Sequence, residues 1–269
     1  MTDRVRTVTV FGQDVRVAVR TGTASGPPLL LCNGIGASFE ALQPFVDSVD
    51  PAIEVIRFDV PGVGGSPDPV LPYTFPVLAA FVGRLLRELG HDRFDVLGIS
   101  WGGGLAQQLA FQFPRRCRRV VLVSTATGSL MVPAMPWVLA KMLTPRRYRD
   151  ATYAQSIAAE LYGGRLREDP ALAAHLLHDH TRAGSRRGYL FQLLAGLGWT
   201  SLPALPFIRQ RTLVLSGTDD PLIPVANAHI LNRLLPHARL HLYPDGHLGL
   251  VTMASELGPL VADFLSEAS

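Results

Sequence analysis

Residues 95–114, DVLGISWGGGLAQQLAFQFP, run from an apolar strand-like stretch through a serine among glycines into a helical pattern. Residues 98–102 have the form G-x-S-x-G and stand between a predicted strand and a predicted helix. Glycines on both sides of Ser100 permit a strained turn that lifts the hydroxyl above the edge of a sheet. The stretch therefore predicts a nucleophilic serine. A tight turn in which Ser100 only caps the helix is the simpler alternative.

Strand and helix patterns alternate on both sides of this motif. The strand patterns are VRTVTV, QDVRVAVR, PPLLLC, IEVIRFDV, RFDVLGIS, RRVVLVST, RTLVLSG and RLHLYP. The first two alternate as a hairpin does, and the later ones are separated by helical patterns such as SFEALQPFVDSV, which Ser38 is predicted to cap. This order predicts an α/β fold with a mostly parallel, doubly wound sheet that helices cover on both faces.

Residues 128–200 interrupt the alternation with several helical stretches and no convincing strand. We therefore predict one α/β core, made of residues 1–127 and 201–269, into which residues 128–200 are inserted as a helical cap. This segment carries eight Arg and one Lys against five acidic residues, in a chain whose net charge is only +3. A solvated face explains the basic excess most simply, and attraction to an anionic surface is the alternative.

Length and composition exclude several classes of protein. The chain has 269 residues, 48% of them hydrophobic, which is typical of a globular protein with a sizeable core. Cys32 and Cys117 lie far apart, so we expect no disulfide framework and a reducing, cytoplasmic location. The N-terminal stretch lacks the apolar core of a signal peptide, and no transmembrane segment is expected. No basic, aromatic-interleaved patch indicates nucleic-acid binding.

A serine nucleophile needs a base and an orienting carboxylate, which in this architecture follow in the order Ser, Asp or Glu, His. The strand pattern RTLVLSG is followed by Asp219 and Asp220, and the pattern RLHLYP is followed by His247. Either carboxylate can instead cap the next helix. The order as a whole predicts a triad of Ser100, His247 and one of the two neighbouring acids.

Ester chemistry also requires N–H donors for the developing oxyanion. We predict the backbone N–H of Trp101, which follows the nucleophile, and the backbone N–H of Ile35 in the turn CNGIGASFE. Asn33 and Gly34 in this turn are predicted to lie against the substrate. An ordinary glycine-rich loop is the alternative. A second glycine-rich turn, FDVPGVGGSPDP, lacks the spacing of a phosphate-binding loop.

A set of strings spread over nearly the whole chain resembles the intracellular medium-chain-length polyhydroxyalkanoate depolymerases of the α/β-hydrolase superfamily. The strings are CNGIGAS, FDVPGVGGS, GISWGGGLAQQ, MVPAMP, TPRRY, YGG, LLAGLGWTS, DDPLIP and DGHL. The cap strings TPRRY and AGLGWTS are the family-specific part, because G-x-S-x-G is shared by very many hydrolases. The wider superfamily often has His-Gly where this chain, like the family it resembles, has Asn33-Gly34.

The resemblance implies a role for each residue of the predicted triad. Ser100 is the nucleophile, His247 the base and Asp220 its orienter. Asp220 is preferred to Asp219 because the catalytic Asp of similar enzymes commonly stands four residues before a proline, here Pro224. The implied reaction is hydrolysis of the ester bonds of a storage polyester, as polymer or oligomer, in the cytoplasm and at storage granules. It needs no cofactor and no metal.

Apolar side chains of the predicted cap are expected to line a channel for alkyl groups, since such pockets are mostly apolar. They are Met131, Met135, Trp137, Leu139, Met142, Leu143 and Trp199. Plain packing is the alternative for each. The string HLLHDH, with His175, His178, Asp179 and His180, offers metal ligands at helical spacing, but a solvated helix end is favoured.

Other functions of the same fold remain open at this point. A general carboxylesterase, or a hydrolase of C–C bonds in soluble substrates, can use the same triad. A non-catalytic receptor needs no intact triad, so the order Ser, Asp, His argues against it.

Overall fold

Eight strands form one sheet in the computed structural model, which describes residues 3–178 and 182–267. The strands are β1 Arg4–Val10, β2 Gln13–Arg20, β3 Leu29–Cys32, β4 Val55–Phe58, β5 Phe94–Ile99, β6 Cys117–Val123, β7 Arg211–Gly217 and β8 Ala238–Tyr243. Their order across the sheet is β1-β2-β4-β3-β5-β6-β7-β8, with antiparallel pairing only at β1, β2 and β4. The predicted mostly parallel α/β fold is confirmed.

Helices connect the strands on both faces of the sheet. The α-helices are α1 Gln43–Ser48, α2 Phe75–Glu88, α3 Trp101–Gln112, α4 Pro136–Ala140, α5 Ala151–Tyr162, α6 Arg165–Glu168, α7 Ala171–His178, α8 Arg186–Gly196, α9 Ala226–Leu234, α10 Gly249–Thr252 and α11 Ala254–Ser266. Short 3-10 helices span Phe39–Leu42, Pro145–Tyr148 and Leu205–Phe207. Within the described ranges, none of the helices has both the length and the apolar character that crossing a bilayer requires.

Alternate side chains of the central strands enter two separate apolar layers. In β3, Leu30 and Cys32 pack with the side of the sheet that α2 and α3 cover. Leu29 and Leu31 pack with the opposite side, where α1 and α11 lie. Successive residues of a strand point to opposite faces, so a strand covered on both sides needs apolar side chains at every position. This explains why these strands read as continuous apolar runs.

The stretch SFEALQPFVDSV differs from its prediction as one helix. It forms the 3-10 helix Phe39–Leu42 and then the separate helix α1. Pro44 accounts for the break, because proline lacks an N–H and fits a helix only in its first turn. Ser38 precedes the 3-10 helix but its side chain makes no capping hydrogen bond, so the predicted cap is wrong. Its Oγ accepts the backbone N–H of Arg182 instead, at 3.0 Å.

The chain between β6 and β7 contains only helices and loops in its described part, namely α4 to α8 and two of the 3-10 helices. Val138, Ile157 and Leu161 belong to an apolar cluster that is separate from the two layers of the sheet. The two ends of the segment meet, because Gly128 and Thr200 form an isolated antiparallel bridge. We keep the term cap for residues 128–200. The division of the chain into core and cap stays a prediction.

Candidate active site

Ser100 lies at the turn between β5 and α3, with φ 54° and ψ −121°. A positive φ is uncommon for a residue with a side chain, and such strain is concentrated at functional sites. The backbone is held on both sides of the turn. The Ser100 N–H donates to the Val123 carbonyl at 2.9 Å, and Thr125 Oγ1 donates to the Ser100 carbonyl at 2.7 Å. The serine hydroxyl is thereby presented at the carboxyl end of β5.

The two glycines of the motif are needed because backbone segments approach closely there. A Cβ on Gly98 would lie 2.3 Å from the Gly102 carbonyl oxygen. A Cβ on Gly102 would lie 2.1 Å from the Cys32 carbonyl oxygen, at the end of β3. Neither distance is possible for a real side chain. The glycines thus let the start of α3 pack directly against the ends of β5 and β3.

His247 and Asp220 form a buried pair, with 2.8 Å between Nδ1 and Oδ2. Both stand in loops that follow the carboxyl ends of strands, Asp220 after β7 and His247 after β8. The other Asp220 oxygen accepts the backbone N–H groups of Leu222 and Ile223, at 2.9 and 2.8 Å. The two amides therefore fix the orientation of the carboxylate that binds the imidazole. When Nδ1 carries the proton of this bond, Nε2 is the basic nitrogen.

Asp219 points away from this pair. Its carboxylate binds the Arg167 guanidinium of α6 at 2.7 and 3.0 Å, and Oδ2 also accepts the Gly164 N–H at 2.7 Å. The side chain is half-exposed, and the Arg167 guanidinium holds the pKa of Asp219 below its usual range. Of the two neighbouring acids, only Asp220 contacts His247 in this part of the molecule.

Ser100 and His247 line the same cavity, together with Asn33, Gly34 and Ile35. Gly34 lies beside the nucleophile, since a Cβ on it would be 3.7 Å from Ser100 Cβ. In the described structure, Ser100 Oγ is not hydrogen-bonded to His247. In free enzymes such bonds are often long and tighten only when substrate binds. The arrangement places a hydroxyl and an imidazole in one apolar cleft, with the Asp220 carboxylate bound to the imidazole.

The two predicted oxyanion donors lie on segments that border this cavity. Trp101 is the first residue of α3, so its N–H belongs to the turn whose amides have no partner within the helix. The loop of Ile35 is organised by Asn33, which is buried. Asn33 Oδ1 accepts the Gly34 N–H at 2.8 Å, and Nδ2 donates to the Ser38 carbonyl at 2.7 Å. Asn33 thus orders the loop from within it.

A second pocket, the aromatic pocket, also reaches Ser100. The Phe75 ring lies 4.8 Å from the Trp101 ring and 4.6 Å from the Trp199 ring, measured between centroids. The indole N–H groups of the two tryptophans are satisfied, by the Gln192 carbonyl at 2.9 Å and by Gln108 Oε1 at 3.0 Å. The remaining wall contains Gly104, Thr125, Ala126, Gly128, Met131, Gly196 and Ile223.

The cap side chains that were predicted to bind substrate divide into three groups. Met142 lines the cavity of Ser100 and His247. Met131 and Trp199 line the aromatic pocket. Met135 and Trp137 line neither of these two pockets, and each is 53% exposed. Their assignment as substrate-binding residues stays a prediction. Any contact that they make with substrate lies outside these two pockets at Ser100.

Several buried polar residues of the cap reach the site without having been singled out individually from the sequence. The Tyr162 carbonyl accepts a hydrogen bond from the backbone N–H of His247 at 2.7 Å. Arg147 and Tyr148 donate to the Ile35 carbonyl, and Gln192 accepts the Gly36 N–H. These contacts join residues that are up to 156 positions apart, so no local sequence pattern predicts them. Among the strings quoted for their resemblance, TPRRY contains Arg147 and Tyr148, YGG contains Tyr162, and none contains Gln192.

Two alternatives from the sequence bear on other ligands. Of the metal-ligand candidates in HLLHDH, Asp179 and His180 lie outside the described residues. Within residues 3–178 and 182–267, no group of three or more His, Cys, Asp or Glu side chains is arranged to hold a metal ion. In the turn FDVPGVGGSPDP, the Gly65 N–H donates to Asp59 Oδ2 at 2.8 Å, so this amide serves an internal carboxylate.

Comparison with known proteins relates the chain to hydrolases of one fold. The model of the alpha/beta hydrolase fold family matches residues 27–252. The chain is 48% identical to a poly(3-hydroxyalkanoate) depolymerase of Ectopseudomonas oleovorans, over 97% of this chain and 92% of that protein. It is 30% identical to 3-oxoadipate enol-lactonase 2 of Acinetobacter baylyi, over 90% of each.

A solved structure shares the whole architecture. The enol-lactonase from Burkholderia xenovorans superimposes with a TM-score of 0.81 and 25% sequence identity, covering 97% of this chain and 100% of that one. The similarity therefore extends through the cap as well as the sheet.

Proposed function

This chain belongs to the alpha/beta hydrolase fold family and to the poly(3-hydroxyalkanoate) depolymerase family within it, and we propose that it cleaves medium-chain-length poly(3-hydroxyalkanoates) through a serine acyl-enzyme. By family it is a carboxylic ester hydrolase. The observation that carries the proposal is the His247–Asp220 pair, which opens onto the same cavity as the strained Ser100. Release of 3-hydroxyacids from the polymer by purified protein is the test.

In the proposed acylation step, Ser100 Oγ attacks the carbonyl carbon of an ester bond in the polymer. His247 Nε2 takes the hydroxyl proton, and Asp220 accepts the Nδ1–H bond and stabilises the imidazolium. The backbone N–H groups of Ile35 and Trp101 donate to the oxyanion. When the tetrahedral intermediate collapses, the C–O bond breaks and the hydroxyl end of the neighbouring unit leaves with the proton from His247.

Water completes the proposed cycle. His247 takes a proton from the water, whose oxygen attacks the acyl carbon, and Ser100 Oγ leaves and regains its proton. The products are a chain that ends in a hydroxyl and a 3-hydroxyacid, or an oligomer that ends in a carboxylate. Every step uses groups of the chain and one water, so the mechanism invokes no cofactor.

The two pockets at Ser100 support the choice of a substrate with alkyl side chains. The cavity shared with His247 has a volume of about 50 Å³, and the aromatic pocket has about 160 Å³. An apolar cavity of about 150 Å³ binds benzene, a six-carbon ligand. The aromatic pocket is therefore large enough for the five-carbon side chain of a 3-hydroxyoctanoate unit. We assign to it the alkyl side chain of one unit at the scissile ester.

Filling the aromatic pocket should shift the preference of the enzyme toward short acyl chains. Gly196, the last residue of α8, lines this pocket, and a Cβ there would meet only Trp101 Nε1, at 3.9 Å. Gly196→Leu adds four carbons, of which the first has room at this position. Each methylene excluded from an apolar pocket costs about 1–3 kcal/mol. We expect the ratio of kcat/KM for p-nitrophenyl octanoate to that for the acetate to fall at least about tenfold.

Leu197→Ala is the matched control for this substitution. Leu197 is the next residue, is 78% exposed and lines neither pocket at Ser100, so the ratio should stay within about twofold of wild type. An equal loss of octanoate and acetate activity in Gly196→Leu would contradict the assignment of the aromatic pocket.

Exposed apolar side chains of the cap suit an insoluble substrate. Met135 and Trp137 are each 53% exposed, and Leu143 is 67% exposed in a groove that it shares with Leu190 and Arg149. When large apolar side chains cluster on an exposed surface, they mark a site that binds another apolar surface. We propose that these residues contact the polymer itself, at cytoplasmic storage granules.

A hydrolase of small soluble esters or lactones is the second candidate. It is favoured by the likeness to the enol-lactonases of Acinetobacter baylyi and Burkholderia xenovorans. The same triad chemistry would serve a lactone, which is a cyclic ester. The two candidates differ in whether the enzyme releases products from a polymer.

A further inference from the structure

One residue of the cap contacts both segments that carry the predicted oxyanion donors. Gln192, in α8, is 1% exposed. Its side-chain oxygen Oε1 accepts the Gly36 N–H at 2.8 Å, in the loop of Ile35. Its backbone carbonyl accepts the indole N–H of Trp101 at 2.9 Å. One residue of α8 is therefore hydrogen-bonded both to the Ile35 loop and to the first residue of α3.

Two further cap residues hold the Ile35 loop at its carbonyl. The Tyr148 hydroxyl donates to the Ile35 carbonyl oxygen at 2.8 Å, and Arg147 Nη2 donates to the same oxygen at 3.3 Å. Arg147 is 1% exposed, and its Nη1 donates to the Tyr189 hydroxyl at 3.0 Å. That hydroxyl in turn donates to the Met142 carbonyl at 2.6 Å. The guanidinium is thus fixed by hydrogen bonds at both ends.

The contacts on this loop act on one peptide group. The Ile35 carbonyl and the Gly36 N–H belong to the same planar peptide, and the cap binds both ends of it. The Asn33–Gly34 peptide, two before it in the chain, is held within the loop, where Asn33 Oδ1 accepts the Gly34 N–H. The Ile35 N–H lies between these two fixed groups, and it has no hydrogen-bond partner among the residues that the structure describes.

The packing around Gly36 gives the cap a further hold on the loop. Gly36 has φ +76°, and a Cβ there would lie 2.7 Å from the Tyr148 ring and 2.8 Å from the Tyr189 ring. The two rings therefore occupy the space that a side chain at this position would need. Position matters here because an oxyanion donor acts over a narrow range, with donors about 2.7–3.1 Å from the oxyanion. A displacement of about 1 Å can cost about 100-fold in rate.

We propose that Gln192, Tyr148 and Arg147 are positioning residues, by which the cap sets the distance between the N–H donors of Ile35 and Trp101. The inference rests on the proposed serine-hydrolase chemistry of Ser100, but not on the polymer as substrate. The cap then serves the chemical step as well as forming a roof over the substrate. Loss of one of these hydrogen bonds should weaken binding of the transition state more than binding of the substrate.

Gln192→Met and Tyr148→Phe test this, because each removes a hydrogen bond with little change in shape. With p-nitrophenyl octanoate we expect kcat to fall about 10- to 100-fold in each, with KM changed less than about threefold. Octylboronic acid forms a tetrahedral adduct with an active serine and places an oxygen where the oxyanion forms. Its Kd should rise by the same factor as kcat/KM falls, while the Ki of octanoate should stay within about threefold.

Gln210→Met is the matched control. Gln210 is also buried and binds a backbone carbonyl, Ala110, at 2.9 Å, but it lies outside both pockets at Ser100. Its kcat and boronate Kd should stay near wild type. The proposal is overturned if boronate and octanoate weaken equally, if kcat falls without any change in boronate Kd, or if Gln192→Met behaves like Gln210→Met. Because the test uses a soluble ester, its outcome does not depend on whether the polymer is a substrate.

Discussion

Replacement of Ser100 by alanine should abolish ester hydrolysis while the protein stays folded. The substitution removes the nucleophile, and loss of this group in serine hydrolases costs roughly 10⁵- to 10⁶-fold in kcat. The backbone bonds of Ser100 to Val123 and Thr125 do not involve its hydroxyl, so the elbow should persist. Initial rates with p-nitrophenyl octanoate measure the loss. Thermal unfolding followed by circular dichroism should show a midpoint within a few degrees of wild type.

Ser124→Ala is the control for the first prediction. Ser124 follows β6, also has a positive φ of 43°, and its hydroxyl is bonded to the Tyr243 hydroxyl at 2.9 Å. It should keep its activity and lose about 1–3 kcal/mol of stability, because the buried Tyr243 hydroxyl loses this partner. A serine-directed phosphonate should label wild type and Ser124→Ala once, on the peptide that contains Ser100. Appreciable turnover by Ser100→Ala, or a label elsewhere, would refute the assignment.

The two neighbouring acids should respond very differently to the same change. Asp220→Asn should lower kcat about 10⁴-fold, because an amide in this place favours the wrong histidine tautomer. The 2.8 Å contact with His247 is the basis for this expectation. Asp219→Asn should leave kcat within about threefold, since it alters a half-exposed ion pair with Arg167. Such surface pairs contribute about 0–1 kcal/mol to the free energy of unfolding.

Steady-state rates and urea unfolding of both variants check this second prediction. Asp219→Asn should show at most a small fall in the urea midpoint and nearly normal turnover. Asp220→Asn should lose turnover although its urea unfolding shows a folded protein. A larger loss of kcat in Asp219→Asn would mean that the partner of His247 has been misassigned by one residue.

Adjacency explains why sequence alone could not separate these two acids. The resemblance favoured Asp220 through its distance from Pro224, but both residues stand in the same loop after β7. What separates them in space is Arg167, which binds Asp219 from 52 residues earlier in the chain, and the amides of Leu222 and Ile223, which bind Asp220. The Arg167 contact is tertiary and leaves no trace in the local sequence, whereas the two amides are local, two and three residues after Asp220.

The central strands of the sheet were predictable because they are buried on both faces. A strand such as β3 has four buried residues in succession, so it reads as an unbroken apolar run between turns. The glycines around Ser100 were predictable for a related reason, since a Cβ at Gly102 or Gly98 would lie only 2.1 or 2.3 Å from a backbone carbonyl oxygen. Local sequence carries both signals. The break at Pro44 was also present in the sequence, but the apolar spacing around it suggested a longer helix.

The cap was the least predictable part of the site. Trp137 and Trp199 are equally apolar, yet Trp137 is 53% exposed and Trp199 packs on Phe75 beside Ser100. Composition identifies apolar side chains but not the direction in which a short helix presents them. Gln192 is harder still, because its importance depends on the two distant segments that it contacts.

The most direct test of the central claim is release of products from the polymer. Purified protein is incubated with a colloid of poly(3-hydroxyoctanoate) and, separately, with poly(3-hydroxybutyrate), and the products are identified by mass. We predict 3-hydroxyoctanoic acid or its oligomers from the first, at least about tenfold faster than products from the second, as expected when an apolar pocket discriminates by several methylenes. Ser100→Ala should release none. No release from poly(3-hydroxyoctanoate), by protein that still hydrolyses p-nitrophenyl octanoate, would contradict the depolymerase assignment and leave an esterase of soluble substrates.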